Sequence, residues 1–371
     1  MTLVASLSVR NWPILVGDIM ISAPARGRTT LPFNIPTHGN VNARAIPVTD
    51  RMVSSLVQKA TLITPQLAIS WADREMAVRS VIRDILDRSR SPTFEDVESV
   101  LNARRGEPGM DLYLAGIFLG EARLEGRPFN LFAWDSENGW ESQRNHFPEF
   151  GVCNAGGTGA QAFLGALANP VSQLSAQMPD QEYALCLTLS HLARLAGDQI
   201  RTGAGISRLF GGAFEIVTLL NDHLQKLDDV AFHFWEARRQ QSNHIEITFN
   251  TALKVTYFED YLVIRKLAFG GEVAHAIRTN ELYVLRSARH SYSLSQTERE
   301  RLTNSISPPS MNARYSVFYI HLPAIHQTQV FTHRSATPGG SRMIAFEEDP
   351  DQLAMQVHPD VFQRVRHALN V

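Results

Sequence analysis

The chain has 371 residues, of which 44% are hydrophobic and 19% are charged, and its formal net charge is −2. This composition is typical of a folded protein with one large or two ordinary domains, and it excludes a disordered chain. The near-neutral charge provides no global field that would attract nucleic acid or an anionic membrane. We therefore expect neither of these partners.

The cysteines and the apolar runs narrow the class of protein further. Cys153 and Cys186 lie in apolar surroundings without a metal-ligand spacing, which predicts buried free thiols in a reducing compartment. No apolar run has the length of a transmembrane helix, and Arg10 and Asn11 interrupt the N-terminal apolar stretch too early for a signal peptide. The sequence thus predicts a cytoplasmic protein.

The first elements in chain order are two β-branched and aliphatic runs within residues 1–22, joined by a tight turn containing Pro13. They predict a β-hairpin. If Met1 is removed, Thr2 carries a hydroxyl and a free α-amine. Such an amine titrates at about 7.7 to 8.0 and can accept the hydroxyl proton, which would activate the oxygen as a nucleophile. The alternative is an ordinary edge strand that begins early.

A second hairpin is predicted after a long irregular stretch. Residues 23–55 are rich in Pro, Gly, Asn and Arg and are interpreted as a loop or insertion. Residues 56–71 then alternate around Thr64, Pro65 and Gln66, which indicates two strands and a turn. Because neighbouring hairpins commonly pair, we expect all four strands to share one antiparallel sheet.

Helical and strand periods then alternate. Helices are predicted from Ala72, from an N-cap at Thr93, and over residues 160–167 and 181–200. Strands are predicted over residues 111–119, 129–134, 150–154 and 212–220. This order predicts an α+β fold, in which two sheets pack together and helices cover the outside of each.

A second region begins near Asp228. It contains alternating runs, separated by polar loops, over residues 244–249, 253–258, 261–264, 282–285, 315–322 and 329–333. A helix is predicted over residues 359–368. The region is interpreted as a β-rich C-terminal appendage, with the aromatic cluster at 232–235 packing at the junction.

Several residues together resemble the proteasome β-subunit and its bacterial relatives, within the N-terminal nucleophile (Ntn) hydrolases. The resemblance covers about residues 2–220. Thr2 stands at the position of the catalytic threonine, Asp18 at that of the acid after the second strand, and Lys59 at that of the lysine before the third strand. Thr158 lies between glycines where the family has a serine, and the glycine pair at 211–212 precedes the last core strand.

The resemblance implies a fold, an activity and site residues. Residues 2–227 would form a four-layer αββα Ntn-hydrolase sandwich of two antiparallel sheets, with 23–55 as an insertion and 228–371 as the appendage. Thr2 would attack an amide, most simply a peptide bond, while Lys59 gives electrostatic support and Asp18 orients it. The segment at Thr158 would supply accessory hydrogen-bond donors to water or an oxyanion. The family's habits also imply a ring-forming homo-oligomer and allow an ATP-dependent unfoldase as partner.

Departures from the family pattern leave a second function open. The family has an Asp and a Ser before the glycine pair that help to hold the threonine amine, and these positions align with Ser207 and Phe210. An aromatic ring cannot make that hydrogen bond. The insertion after Asp18 would lie over or beside the substrate pocket. The alternative function is a catalytically silent, proteasome-like scaffold that binds a partner.

Metal and cofactor chemistry is not expected. His321 and His326 have no carboxylate partner in a metal-binding pattern. The glycines at 203 and 205 form an incomplete dinucleotide fingerprint after a helix, which is the wrong context. We therefore predict no cofactor and no metal.

Overall fold

A computed structural model describes residues 2–24, 33–41, 51–120, 128–141, 145–169, 174–202, 210–240, 244–270, 277–289, 295–305, 311–335, 344–349 and 352–369. Within them the strands are β1 (Val4–Val9), β2 (Trp12–Asp18), β3 (Met20–Pro24), β4 (Phe33–Ile35), β5 (Gly39–Val41), β6 (Arg51–Leu56), β7 (Ala60–Thr64), β8 (Leu67–Asp73), β9 (Leu112–Leu119), β10 (Phe129–Asp135), β11 (Gly139–Trp140), β12 (Asn145–Phe147), β13 (Gly151–Gly156), β14 (Phe214–Leu220), β15 (His223–Lys226), β16 (Val230–Arg239), β17 (Ile245–Phe258), β18 (Tyr261–Phe269), β19 (Ile277–Leu285), β20 (Tyr315–Leu322), β21 (Gln327–Arg334), β22 (Ile344–Asp349) and β23 (Gln352–Val357). The helices are α1 (Glu75–Arg88), α2 (Phe94–Arg104), α3 (Ala160–Leu167), α4 (Asp180–Thr202), α5 (Gln296–Ser305) and α6 (Pro359–Ala368). The fold is mixed α and β, with most strands in antiparallel sheets.

The predicted N-terminal hairpin is confirmed as β1 and β2, which lie at the centre of a sheet with the order β12-β13-β1-β2-β14-β15. The turn differs from the prediction. Arg10 and Asn11 form it with φ angles of 47° and 60°, and Pro13 lies inside β2. Two consecutive left-handed residues match the strand twist of a tight hairpin, so the turn needs no proline.

The second hairpin is also confirmed, as β7 and β8, but the expectation that it shares a sheet with the first is wrong. It belongs to a second sheet with the order β11-β10-β9-β8-β7. The two sheets pack face to face through β1, β2, β8 and β9. Because both faces of β1 and β2 are buried, the second hairpin covers one face instead of extending the sheet edge.

Helices pack on the opposite face of each sheet. The outer face of the second sheet contacts α1 and α2 through one apolar cluster that includes Trp71, Val81 and Leu101. The first sheet contacts α3 and α4 through another that includes Leu7 and Phe163. The predicted start of α2 is confirmed, because Thr93 and Asp96 form a reciprocal capping box.

The C-terminal region forms a third sheet with the order β19-β18-β17-β16-β20-β21, in which only the β16–β20 pairing is parallel. Two strands predicted over 244–258 are one bulged strand, β17, and β16 and α5 were not predicted. Helix α4 packs between this sheet and the first one, so one apolar core runs across residue 228. The proposed boundary between 2–227 and 228–371 stays a prediction.

The stretch 23–55 contains strands, contrary to its interpretation as an irregular loop. Strand β3 pairs with β6, and β4 pairs with β5 in a short hairpin. The Pro and Gly content obscured these pairings because each strand is short. None of the described helices has both the length and the apolar character needed to cross a membrane.

Candidate active site

Thr2 is held by the backbone of two neighbouring segments. Its carbonyl oxygen accepts a hydrogen bond from the Gly159 N–H at 3.0 Å, and the next carbonyl, of Leu3, accepts from the Asp18 N–H at 2.9 Å. The residue is 0% exposed. Thr2 is therefore fixed at the entrance to β1.

Asp18 lies at the end of β2 and uses both carboxylate oxygens. Its Oδ1 accepts hydrogen bonds from Thr2 Oγ1 and, at 2.7 Å, from Lys59 Nζ. Its Oδ2 accepts from the Gly211 N–H at 2.7 Å. This carboxylate is fully buried, and the three donors replace the water that it would lose on burial.

Lys59 immediately precedes β7, and its ammonium group also donates to the carbonyl of Met20. The side chain is 1% exposed. Burial lowers the pKa of Lys59, and the negative charges of Asp18, Asp73 and Glu215 oppose that shift. The structure thus brings the predicted Thr2, Asp18 and Lys59 into one buried hydrogen-bonded cluster, joined through a single carboxylate oxygen.

Glu215 is a site residue that the sequence analysis missed. It lies in β14, is 0% exposed, and accepts from the backbone N–H groups of Lys59 and Ala60 at 2.7 and 3.2 Å. Its other oxygen accepts from Lys226 Nζ and the Tyr257 hydroxyl, both at 3.1 Å. A single acid within an apolar strand was the only sequence signal, since such a charge is costly to bury without partners.

The segment at Thr158 holds the Thr2 backbone. A Cβ atom at Gly157, where φ is +83°, would lie 2.1 Å from the Thr2 carbonyl oxygen. The Gly159 N–H is used by that same oxygen. The Thr158 side chain is exposed and makes no hydrogen bond to the described residues, so Thr158 is not brought together with the other three. Its accessory role stays a prediction.

We expect Gly157→Ala to disrupt the site. The new methyl group would overlap the Thr2 carbonyl, and the residue would be strained at positive φ, so we expect a loss of about 2–4 kcal/mol in the free energy of unfolding. Gly165→Ala is the matched control, because this α3 glycine is exposed and no atom of the described residues lies within 4 Å of the place that its new methyl group would take. It should be neutral or stabilising by up to about 1 kcal/mol. Chemical denaturation of both variants measures the difference, and equal midpoints would contradict the close approach.

The segment around Phe210 contributes in a different way from the family pattern. Phe210 is 2% exposed, and its ring lies 2.7 Å from the position that a Cβ on Gly159 would take. It packs there as an apolar wall and offers no side-chain donor to the Thr2 amine. The next residue, Gly211, instead donates its N–H to Asp18. Ser207 lies outside the described residues.

The insertion lies beside the cluster. Met20, whose carbonyl accepts from Lys59, packs with Ile35 and Val53 in a small apolar cluster. Both of these partners belong to the 23–55 stretch. The described part of the insertion thus packs next to the lysine.

Other candidate groups do not form a metal site among the described residues. Cys153 and Cys186 are buried free thiols, and burial raises the pKa of Cys186 to about 12, which disfavours the thiolate needed for reaction or ligation. The Gly203 and Gly205 segment lies outside the described residues. His321 lies in β20, and His326 follows it at the turn before β21.

Comparisons with known proteins give no assignment. No protein-family model matches the sequence, and a search of curated proteins finds no significant match.

Proposed function

We propose that the chain is an N-terminal threonine hydrolase that cleaves amide bonds, with peptides as the first substrate class, after removal of Met1. The observation that supports this most is the convergence of Thr2 Oγ1 and Lys59 Nζ on Asp18 Oδ1 in a fully buried cluster. A cation beside the hydroxyl lowers the proton affinity of its oxygen, and the carboxylate keeps that cation charged and oriented.

The reaction follows from these groups. With Met1 removed, the Thr2 α-amine accepts the hydroxyl proton while Oγ1 attacks the amide carbonyl carbon. The C–N bond then breaks, and the leaving nitrogen takes the proton from the protonated α-amine of Thr2. An ester remains on the Thr2 oxygen. Water, deprotonated by the same amine, hydrolyses that ester and restores the hydroxyl. Lys59 stabilises negative charge on the threonine oxygen in both steps.

The proposal includes the finer fold and the assembly. The packing of α1 and α2 on the second sheet, and of α3 and α4 on the first, supports a four-layer αββα arrangement of the Ntn-hydrolase type. From the resemblance to proteasome β-subunits we also propose that the protein is cytoplasmic and assembles into a homo-oligomeric ring. We propose that this ring receives protein substrates from an ATP-dependent unfoldase. Peptide and protein substrates then share one nucleophile.

A silent scaffold is the second candidate, and one observation favours it. Phe210, which the resemblance aligns with the amine-holding serine, has a buried ring, so the described residues offer no side-chain donor from that position to the Thr2 amine. In that case the cluster of Thr2, Asp18 and Lys59 would only stabilise the fold.

Intact-mass analysis separates the two. We expect the purified protein to have lost Met1, and incubation with a threonine-directed electrophile to add one equivalent of reagent mass that peptide mapping places on Thr2. A retained Met1 leaves no free threonine amine and contradicts the hydrolase. Loss of Met1 without an adduct favours the scaffold.

A further inference from the structure

Strand β7 is the last strand of the second sheet, and Lys59 immediately precedes it. Backbone N–H groups at a buried edge need acceptors, because an unpaired donor is costly away from water. Here the acceptor is not another strand but the Glu215 carboxylate, which receives the N–H groups of Lys59 and Ala60.

Glycine at position 17 lets the two sheets approach closely enough for this contact. Gly17 is the register partner of Glu215 on β2. A Cβ atom on Gly17 would lie 3.1 Å from the Ala60 nitrogen and 2.8 Å from Ser70 Oγ. With no side chain there, Glu215 reaches across from the first sheet to the start of β7.

The second oxygen of Glu215 connects the C-terminal region to the start of β7. It accepts from Lys226 and from Tyr257, which lies on β17 of the third sheet. The residue before Lys59 is held similarly, because Gln58 Nε2 donates to the carbonyls of Asp260 and Leu285, both at 2.7 Å. Residues 58–60 are thus fixed by contacts from beyond residue 214.

We propose that Glu215 is a positioning residue, which holds Lys59 against Asp18 and Thr2 and couples its placement to the third sheet through Tyr257. The region 228–371 is then part of the site's construction and not a separable appendage. The assignment of a role to Lys59 rests on the proposed function, whereas the coupling itself does not.

The charges that face Lys59 determine in which direction its pKa should move when the charge of Glu215 is removed. They are Asp18 on β2, Asp73 on β8 and Glu215 on β14, and all three raise the lysine pKa against burial. Lys226 and Tyr257 face Glu215 from its other side, and Tyr257 stays a protonated donor because burial and Glu215 raise its pKa well above 10. Removing the charge of Glu215 should therefore lower the pKa of Lys59 further.

Lysine ¹³Cε titration by NMR tests this directly. The sequence has four lysines, at 59, 226, 254 and 266, so selective labelling gives few signals and Lys→Arg variants at the last three assign them. We expect Glu215→Gln to move the Lys59 titration midpoint to lower pH. We also expect exchange of the Lys59 and Ala60 amide hydrogens to accelerate by about tenfold or more, because the acceptor loses the negative charge that strengthens both hydrogen bonds.

Glu281→Gln is the matched control. It removes a carboxylate that lies 3.7 Å from Lys266 on the third sheet, so it should move the Lys266 signal and leave Lys59 unchanged. If Glu215→Gln does not fold, Tyr257→Phe removes only one hydroxyl and should still accelerate exchange at Lys59 and Ala60.

An unchanged Lys59 midpoint in folded Glu215→Gln would overturn the positioning role, and unchanged exchange in Tyr257→Phe would overturn the coupling. Neither readout requires turnover. A protein that forms no Thr2 adduct but shows both shifts would thus contradict the hydrolase and leave the positioning role of Glu215 intact.

Discussion

Thr2→Ala should abolish both amide hydrolysis and adduct formation, with a loss of at least about 10³-fold in rate. The variant still presents an α-amine after Met1 removal, but it has no oxygen to attack the carbonyl. Thr2→Ser keeps the hydroxyl and should retain measurable reaction. Rates of hydrolysis of a fluorogenic peptide panel, together with intact mass after treatment with electrophile, measure the effect.

The loss must be separated from unfolding. Thr2→Ala removes one buried hydrogen bond to Asp18, which should cost about 1–3 kcal/mol in the free energy of unfolding. Thr202→Ala, at the exposed end of α4, changes the same residue type outside the site and should leave the rate unchanged. Hydrolysis by folded Thr2→Ala at the wild-type rate would mean that another group, or a contaminant, performs the reaction.

Local signals in the sequence predicted the elements well. Both hairpins, the helix start at Thr93 and helices α3 and α6 lie where alternation, an N-cap or helical periodicity predicted them. These features depend on contacts within about ten residues, so the sequence carries them directly. Strand β16 was missed because residues 230–235 are all buried and, apart from His233, all apolar, so they lack the alternation of a strand that is buried on one face.

Local signals in the sequence could not predict which sheet each hairpin belongs to. Assigning the two hairpins to one sheet relied on sequence proximity, but β2 pairs with β14, nearly 200 residues later in the chain. The second hairpin could either extend the first sheet or cover one of its faces. It covers a face because both faces of β1 and β2 are buried, and that burial depends on the whole core.

The candidate site was predicted in part. Thr2, Asp18 and Lys59 were found through the family resemblance, and they are the residues that meet in space. Glu215 was missed because its partners at Lys59 and Ala60 are backbone groups, which leave no pattern of residue types. Thr158 was chosen by its flanking glycines, whose function in the fold is to let the backbone approach Thr2.

Lys59→Met should destabilise the protein by about 3–5 kcal/mol and remove its reactivity. Methionine preserves the length and apolar body of the side chain, so the main change is loss of the cation beside Asp18. That carboxylate would remain fully buried, and its remaining donors among the described residues would be Thr2 Oγ1 and the Gly211 N–H. Removing one member of a buried ion pair is costly because the other charge is left uncompensated. Urea denaturation at constant pH measures the loss.

Asp18→Asn completes a double-mutant cycle that separates stability from catalysis. By itself it removes the carboxylate that pairs directly with the Lys59 ammonium group, so it should also be strongly destabilising. The combined Lys59→Met, Asp18→Asn variant contains neither charge, so it should recover about 3 kcal/mol relative to the sum of the single changes. Its reaction with electrophile should nevertheless stay at the level of Thr2→Ala, because the charge that stabilises the threonine oxygen is absent. A stable double variant that forms the adduct at the wild-type rate would assign the ion pair to folding alone, and the nucleophile would then be activated without it.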